Sequence, residues 1–364
     1  MRLHEICDFL EQQFPLALQE SYDNSGLLYG RLDWEIHGAL LCLDSTEAIV
    51  DEAIANKCNL IIAHHPIVFK GLKSLTGRTY VERVVEKCIQ HRIALYAIHT
   101  NLDNHPAGVN AAIGQRLGLE NLRILSPMKQ QLSKLITYVP NTHLAQIDEA
   151  VFSAGAGHIG NYTACHFRSE GIGTFQPLDG AKPRIGKVNE RSQVEELKIE
   201  YLVPNFALAS VVRALKKAHL YEEVAYDIVA LSNVHQDFGA GMIGNLPEEM
   251  PAIEFLKKVK RDFECGCIRH TPLSDKPIKK VAFCGGAGSF LLPDAIKAGA
   301  DIYITGDFKY HEFFDAENQI VIADIGHYES EQFTSAWLAE KIKENFPNFA
   351  LRLTKLNTNP INYL

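Results

Sequence analysis

The stretch Asn59-Leu-Ile-Ile-Ala-His-His-Pro66 decides the fold class of this 364-residue chain. Its apolar run predicts a buried β-strand, and the strand must end at Pro66 because proline has no backbone N–H for the hydrogen-bond ladder. Similar apolar strands are predicted at residues 39–43 and 93–98, with helical patterns between the strands. Near-continuous apolar strands that alternate with helices indicate a parallel sheet with helices on both faces.

A second α/β pattern and a different middle segment complete the predicted organisation. Strands and helices alternate again over residues 280–344. The middle segment instead has the order strand, helix, strand, strand, helix, strand (βαββαβ), which is the order of ferredoxin-like α+β domains. We therefore predict one α/β core, with residues 1–127 as its first half and residues 236–364 as its second half, interrupted by a ferredoxin-like domain at residues 128–235.

The composition excludes several classes of protein. The chain has 36 Lys and Arg against 44 Asp and Glu, and this formal net charge of −8 argues against non-specific binding to nucleic acid or to a membrane surface. No stretch approaches the ~18 uninterrupted apolar residues of a membrane span, and the first residues carry charges throughout. The eight scattered cysteines predict buried free thiols rather than disulfides. We expect a cytoplasmic protein.

Two adjacent histidines follow the predicted strand at residues 59–63. In a parallel sheet the carboxyl ends of the strands line the ligand crevice, and His64 and His65 lie at such an end. Adjacent residues of an extended chain point in opposite directions, so each imidazole would serve one of two neighbouring metal ions. A solvated loop that contains two histidines is the alternative, and the dipeptide alone does not decide between them.

Other predicted strand ends carry similar side chains. The strand at residues 93–98 runs into His99 and Asp103, and a strand of the second half runs into Asp307. His327 and Glu331 follow the last of these strands, and their spacing of four residues places them on one face of a helix that begins there. A single pair of this kind is common on protein surfaces, so it is the repetition at successive strand ends that indicates a metal site.

The types of donor atom narrow the choice of metal. Imidazole nitrogens and carboxylate oxygens without a thiolate suit Zn²⁺, Mn²⁺, Fe²⁺ or Co²⁺. Two such ions about 3.5–4 Å apart would lower the pKa of a water molecule and polarise a carbonyl, a phosphoryl group or a ring carbon for hydrolysis. The pattern therefore predicts two divalent metal ions per chain and leaves their identity open.

Six short motifs occur together in the two α/β halves. They are Tyr22-Asp-Asn-Ser-Gly-Leu27, Ala63-His-His-Pro66, His99-Thr-Asn-Leu-Asp103, Gly285-Gly-Ala-Gly288, Thr305-Gly-Asp307 and Gly326-His-Tyr-Glu-Ser-Glu331. Their combination resembles the GTP cyclohydrolase I type 2 homologues, the Nif-three-like family of dinuclear-metal proteins. The middle segment, with Gly171-Ile-Gly-Thr-Phe175, is similar to the PII/CutA-like insert of the longer bacterial members. The resemblance covers nearly the whole chain.

The resemblance implies a toroidal homohexamer with a two-metal site in each α/β core, facing an interior cavity. Matched motif by motif, the family's metal ligands fall on five residues of this sequence: His64, His65, Asp103, His327 and Glu331. Glu331 is the expected bridge, with His65 and Asp103 on one ion and His64 and His327 on the other.

Several residues beside these ligands have open roles. His99 and Asp307 are expected to orient the ligands or to transfer protons, since a ligating imidazole normally donates its other N–H to such a partner, and a plain loop role is the alternative. Asp23 matches a family motif, but short polar residues before Gly26 also make an ordinary turn. The glycines at 285–288 would let a phosphate approach backbone amides, or would let a helix and a strand pack closely.

One further glycine-rich stretch invites a different interpretation. Residues 239–244 fit the pattern G-x-G-x-x-G, which in dinucleotide-binding proteins follows a strand and opens a helix. Here the stretch runs directly into Asn245-Leu-Pro247, which cannot open a helix in the required way. We interpret these glycines as a flexible turn.

The resemblance also implies a function. It implies a metal-dependent hydrolase that acts on a nucleotide or a small phosphorylated substrate, with a GTP cyclohydrolase-like ring opening as the named activity. Phosphoester hydrolysis by the same five residues is an alternative within the hydrolase class. A rival from another class is a non-catalytic metal-binding or interaction protein whose inserted domain senses a ligand. The residues alone do not separate these functions.

Overall fold

The computed structural model describes residues 1–364, which form two compact units. The first unit comprises Met1–Ser126 and Asp237–Leu364, and the second comprises Pro127–Gln236. No helix combines the length and the apolar character that crossing a lipid bilayer requires.

Helices and strands follow one another along the chain as follows. The first part contains α1 (Leu3–Gln13), β1 (Gly26–Tyr29), β2 (Ala39–Cys42), α2 (Glu47–Ala55), β3 (Leu60–Ala63), α3 (Tyr80–His91), β4 (Ala94–Ala97), α4 (Thr100–Asp103), α5 (Val109–Leu117) and β5 (Glu120–Met128). The middle part contains β6 (Leu132–Val139), α6 (Leu144–Ser153), β7 (His166–Phe175), β8 (Ser192–Pro204), α7 (Leu208–Ala218) and β9 (Tyr226–Ala230). The last part contains β10 (His235–Met250), α8 (Ala252–Asp262), β11 (Arg269–His270), β12 (Ile278–Ala287), α9 (Leu292–Lys297), β13 (Ile302–Gly306), β14 (Val321–Asp324), α10 (His327–Glu331), α11 (Thr334–Asn345) and β15 (Leu351–Leu353).

The first unit contains two sheets. The five-stranded sheet has the order β1-β4-β3-β2-β15, in which β4, β3, β2 and β15 run parallel. The six-stranded sheet has the order β11-β14-β13-β12-β10-β5, in which β12, β13 and β14 run parallel. Strand β15 pairs with β2, with Leu351 opposite Ala39, so the end of the chain completes a sheet that its beginning forms. These sheets and their covering helices confirm the predicted mixed α/β class.

The central strands of the five-stranded sheet bring successive strand ends together. All four residues in each of β2, β3 and β4 are buried, as expected for strands covered on both faces. The parallel register places Ala63 between Cys42 and Ala97. The residues that follow these three positions therefore lie side by side at one edge of the sheet.

The second unit has the predicted βαββαβ order. Its four strands form an antiparallel sheet in the order β7-β8-β6-β9. Ile147 and Val151 of α6 and Val211 and Leu215 of α7 are buried with the apolar side chains of β6 and β8. The spacing of four residues within each pair gives each helix one apolar stripe, which packs on the sheet.

Residues 239–244 lie in strand β10, so the predicted flexible turn is wrong. Met242 of this strand is opposite Phe283 of β12. A Cβ atom at Gly244 would lie 2.8 Å from a methyl carbon of Leu122, so glycine allows β10 and β5 to approach closely. A strand is recognised in a sequence by the alternation of apolar and polar side chains. Glycine has no side chain, so the glycines of residues 239–244 interrupt this alternation and the strand was not predicted.

Candidate metal centre

The two histidines after β3 are held by hydrogen bonds through Nδ1. His64 Nδ1 lies 2.8 Å from the carbonyl oxygen of Ile98, and His65 Nδ1 lies 2.8 Å from Oδ1 of Asp44. A carbonyl or carboxylate oxygen accepts, so each Nδ1 donates a proton to its partner. The lone pair of the neutral imidazole is then on Nε2 in both residues.

His99 and His327 are anchored in the same way. His99 Nδ1 donates to Oδ1 of Asp23 over 2.8 Å, and His327 Nδ1 donates to Oδ2 of Asp307 over 2.7 Å. Carboxylate partners of this kind fix the tautomer and the ring orientation of metal-binding imidazoles. The structure therefore presents four imidazoles whose Nε2 atoms carry the lone pair in the neutral form.

Glu331 lies where these imidazoles converge. Its Oε2 is 3.0 Å from Nε2 of His65 and 3.2 Å from Nε2 of His327. Its Oε1 is 3.6 Å from Nε2 of His64, which is in turn 3.7 Å from Oδ1 of Asp103. The five residues expected to be metal ligands thus meet at one place, although they are up to 267 positions apart in the sequence (331 − 64).

The donor atoms fall into three groups whose members all lie within 4.8 Å of one another. The groups are His64, Asp103 and Glu331; His65, His327 and Glu331; and His64, His65 and His99. The first two groups differ from the pairing expected above, which joined His65 with Asp103 and His64 with His327. Glu331 is common to both groups, as a bridging residue requires.

The order of the strands explains the different pairing. Strand β3 lies between β4 and β2. His64 bonds to Ile98, which follows β4, and so it faces Asp103 on that side. His65 bonds to Asp44, which follows β2, and so it faces away from Asp103. His64 and His65 do point in opposite directions, as expected. Which proposed ligands each of them meets depends on the strand that lies beside it, β4 for His64 and β2 for His65.

Two buried atoms at this centre lack a hydrogen-bond partner. His64 and Glu331 are 2% and 3% exposed, and neither Nε2 of His64 nor Oδ1 of Asp103 has a partner within the protein. A buried polar atom without a partner costs about 1–3 kcal/mol, so native structures rarely tolerate two side by side. A divalent cation accepts lone pairs from both atoms at once. The residues present therefore fit a metal ion.

Burial and charge shift the pKa values at the centre. Burial raises the pKa of Asp103 to about 7, and the neighbouring Glu331 carboxylate adds to the effect. Burial acts on Glu331 in the same direction, but the charge on His327 outweighs it and holds the pKa of Glu331 well below its usual value. Burial alone would lower the pKa of His327, whereas Glu331 and Asp307 raise it to about 11. Asp103 and His327 thus hold protons more tightly than usual beside the ionised Glu331, in a space where a divalent cation would replace those protons.

Glycines make room for the Glu331 carboxylate. Gly286 has φ +63°, and a Cβ atom there would lie 2.5 Å from Oε1 of Glu331. The backbone amides of Gly285 and Gly286 donate to Oδ1 of Asn110 and to Oγ of Ser330. These two amides are used within the protein, and the missing side chain at Gly286 gives the Glu331 carboxylate its space, which favours the close-packing alternative.

The roles of two carboxylates, Asp44 and Asp23, were not predicted from the sequence. Asp44 holds His65, and its position after a predicted strand was the signal that could have identified it. Asp23 has a buried side chain that accepts from His99 and from the backbone amide of Thr100, so it is more than a turn residue. Burial acts to raise the pKa of Asp23, but the hydrogen bond and the charge of His99 outweigh burial and hold its pKa well below the usual value.

Two openings reach the centre within the first unit. A cleft of about 400 Å³ is lined by His65, His99 and His327, and by the segment 359–361 near the end of the chain. A smaller cavity of about 180 Å³ is lined by Asp103 and Glu331. The larger cleft is within the size range of small-molecule sites, so a small molecule in it would reach His65 and His327.

Comparisons with known proteins agree with this architecture. A family model described as Duf34/NIF3 (NGG1p interacting factor 3) matches residues 1–360. A GTP cyclohydrolase 1 type 2 homolog of Halalkalibacterium halodurans is 41% identical over 341 residues, which are 93% of this chain and 91% of the relative. A protein of the same name from Bacillus subtilis is 39% identical over 366 residues, which are 99% of this chain and 98% of the relative. Among solved structures, a Bacillus cereus protein related to NIF3 is 38% identical, with 100% of this chain and 99% of that chain covered and a TM-score of 0.86.

Proposed function

This chain belongs to the Duf34/NIF3 family, and from that premise and the geometry of its metal centre we propose that it is a hydrolase that uses two divalent metal ions. Its substrate is a nucleotide or another small phosphorylated molecule. The observation that carries the proposal is the position of Glu331, whose Oε2 faces His65 and His327 while its Oε1 faces His64. One carboxylate thereby joins two sets of imidazole donors, which is the arrangement of a bridging ligand in a two-metal site.

The donor groups divide the ligands between two ions. His64, Asp103 and Oε1 of Glu331 would hold one ion, and His65, His327 and Oε2 of Glu331 would hold the other. Nitrogen and oxygen donors without a thiolate suit Zn²⁺, Fe²⁺, Mn²⁺ or Co²⁺. Ions bound by these residues would supply Lewis-acid polarisation of the group to be cleaved and would lower the pKa of a water molecule.

His99 is the residue that we assign to proton transfer. Its ring centroid lies 5.3 Å from that of His64 and 5.4 Å from that of His65, beside the proposed ligands. Asp23 fixes its Nδ1–H, so Nε2 is the atom that accepts or donates a proton at the substrate. Asp307 has a different task, because it orients His327 through the hydrogen bond to Nδ1.

Three properties of the whole protein stay predictions. They are the assembly into a homohexameric toroid, the PII/CutA-like character of the inserted unit and the location in the cytoplasm. The antiparallel sheet order β7-β8-β6-β9 supports the second of these, because it is the sheet order of a split βαβ domain. The hexameric assembly rests on the family resemblance, and the cytoplasmic location rests on composition.

The metal-loaded protein is expected to release product from at least one member of a panel of GTP, other nucleotides and bis-p-nitrophenyl phosphate. The His327→Ala variant should lose activity by about a hundredfold or more. Replacing a residue that only orients a metal ligand already lowers metal affinity or activity by about 10–100-fold, and His327 is itself a proposed ligand. Chromatography of the nucleotides and release of nitrophenol measure turnover. Glu340→Gln, which changes an exposed carboxylate outside the centre, serves as the control. A protein that holds two ions per chain but releases no product would contradict the hydrolase and favour the non-catalytic metal-binding alternative.

Metal binding is expected to strengthen as pH rises from about 6 to about 8.5. Burial lowers the pKa of His65, but hydrogen bonds to Asp44 and Glu331 outweigh it and raise the pKa from 6.5 to about 9. Below that pH an ion must displace a proton from His65, so affinity falls by up to about tenfold per pH unit for each proton displaced. In the metal-free protein the protonated ring stabilises the fold fully below its unfolded pKa, and this contribution is lost as pH rises through the folded value.

The increase in Tm on adding Mn²⁺ measures this effect. It should be larger at pH 8.5 than at pH 6.5, and Asp44→Asn should reduce the difference because it replaces a charged acceptor, which raises the pKa of His65, by a neutral one. An increase in Tm that is the same at both pH values in the wild-type protein would show that His65 does not exchange a proton for metal.

A further inference from the structure

The second unit contains a cavity of about 540 Å³ that has no part in the metal centre. It lies between the connection from β7 to β8 and the connection from α7 to β9, and Tyr138, Phe175 and Tyr221 contribute aromatic walls. Its volume falls within the range of about 300–1,000 Å³ that is typical of small-molecule sites. The cavity is therefore large enough to enclose a small organic molecule.

The walls of this cavity are fixed by hydrogen bonds. The backbone amide of Lys182 donates to Oε1 of Glu222 over 2.7 Å, which ties the β7–β8 connection to the α7–β9 connection. Within the β7–β8 connection, the amide of Asn189 donates to the carbonyl oxygen of Pro177, and its side chain donates to Asp179. The cavity is thus bounded by segments that hold each other in place.

Glu196 is built into the aromatic wall. The hydroxyl group of Tyr221 donates to Oε1 of Glu196 over 2.8 Å, and the rings of Tyr221 and Phe175 have centroids 6.3 Å apart. A Cβ atom at position 173 would lie 2.0 Å from Oε2 of Glu196, so any larger residue there would push this carboxylate out of its place in the wall. This contact gives a physical reason for Gly173 in the motif at residues 171–175, which the metal centre does not explain.

The charge of the cavity selects the kind of ligand. Among the lining residues, Glu196, Glu222 and Glu223 carry carboxylates, and Arg184 is the single cationic side chain. Aromatic faces are negative as well, and cages of aromatic rings bind ammonium groups through cation–π attraction. We propose that this cavity binds a small organic cation, with an amine or quaternary ammonium group among Tyr138, Phe175 and Tyr221 and beside Glu196.

Titration calorimetry of the metal-loaded 364-residue chain tests the proposal. Choline and spermidine are the cationic probes, and 3,3-dimethylbutan-1-ol is the uncharged isostere of choline. At least one cation should bind about tenfold or more tightly than the isostere, because cation–π contacts and a carboxylate together contribute more than about 1.4 kcal/mol. The proposal is overturned if neither cation binds, or if the isostere binds as tightly as choline.

Matched variants locate the binding. Glu196→Gln should weaken the cation about tenfold, and Tyr221→Leu should weaken it about fivefold by removing one aromatic face. Glu195→Gln is the control, because Glu195 is the exposed neighbour on the same strand and points to the other face of the sheet. Equal affinities for the Glu196→Gln and Glu195→Gln variants, or displacement of the cation by inorganic phosphate, would also overturn the proposal. Unchanged circular dichroism and Tm show that each variant is folded.

Discussion

Replacement of Glu331 by glutamine is expected to empty the metal centre, with the metal content falling from about two ions per chain to well below one. The two oxygens of Glu331 face different donor groups, so both ions depend on this side chain. Glutamine keeps the size of the side chain but replaces one oxygen by an NH₂ group, which cannot bind a cation, and removes the negative charge. No other residue of the centre belongs to both bridged groups.

Elemental analysis after dialysis against metal-free buffer measures this loss. Glu340→Gln makes the same chemical change at an exposed position of α11 and should retain both ions. His64→Ala removes a ligand from only one of the two groups that Glu331 joins and should retain about one ion per chain. A Glu331→Gln protein that keeps two ions would show that Glu331 is not the bridge. A His64→Ala protein that loses both would show that the two sites are not separate.

The sequence predicts the α/β class from short-range patterns, and the five proposed ligands come from such patterns together with the family resemblance of the motifs that carry them. Apolar runs end at His64 and His65, and the spacing of His327 and Glu331 follows from one turn of a helix. The division of the ligands between two ions does not follow in this way. It depends on β4 and β2 being the neighbours of β3, and the order of strands in a sheet is a property of the whole chain.

The role of Asp23, the carboxylate behind His99, was missed for a related reason. Asp23 and His99 are 76 positions apart, and nothing in the local sequence of either residue indicates the other. The strand at residues 239–244 was missed because its glycines lack the side chains on which the alternating pattern depends. The hydrogen bond between Asp23 and His99 and the pairing of β10 with β12 both join residues that are far apart in the sequence. The local sequence of Asp23 and of the β10 glycines is also compatible with an ordinary turn.

Gly286→Ala is expected to abolish binding of at least one ion while leaving the chain folded. A Cβ atom at this position would lie 2.5 Å from Oε1 of Glu331 and 3.3 Å from Cε1 of His327. The carboxylate is the far end of a flexible side chain and can move aside, so the clash itself costs the fold little. The atom that must move is a proposed metal ligand, and a misplacement of about 1 Å in such a group has large effects on binding.

Gly118→Ala separates this clash from backbone strain. Gly118 has φ +72°, close to the +63° of Gly286, but a Cβ atom there would meet nothing within 4 Å. An alanine at either position pays about 1–2 kcal/mol for the left-handed backbone conformation, so both variants should lose a similar amount of stability when metal is absent. They should differ in metal content, with Gly118→Ala retaining both ions, and in the rise of Tm on adding metal, which should be smaller for Gly286→Ala. If Gly286→Ala binds as much metal as Gly118→Ala, Oε1 of Glu331 is not a ligand.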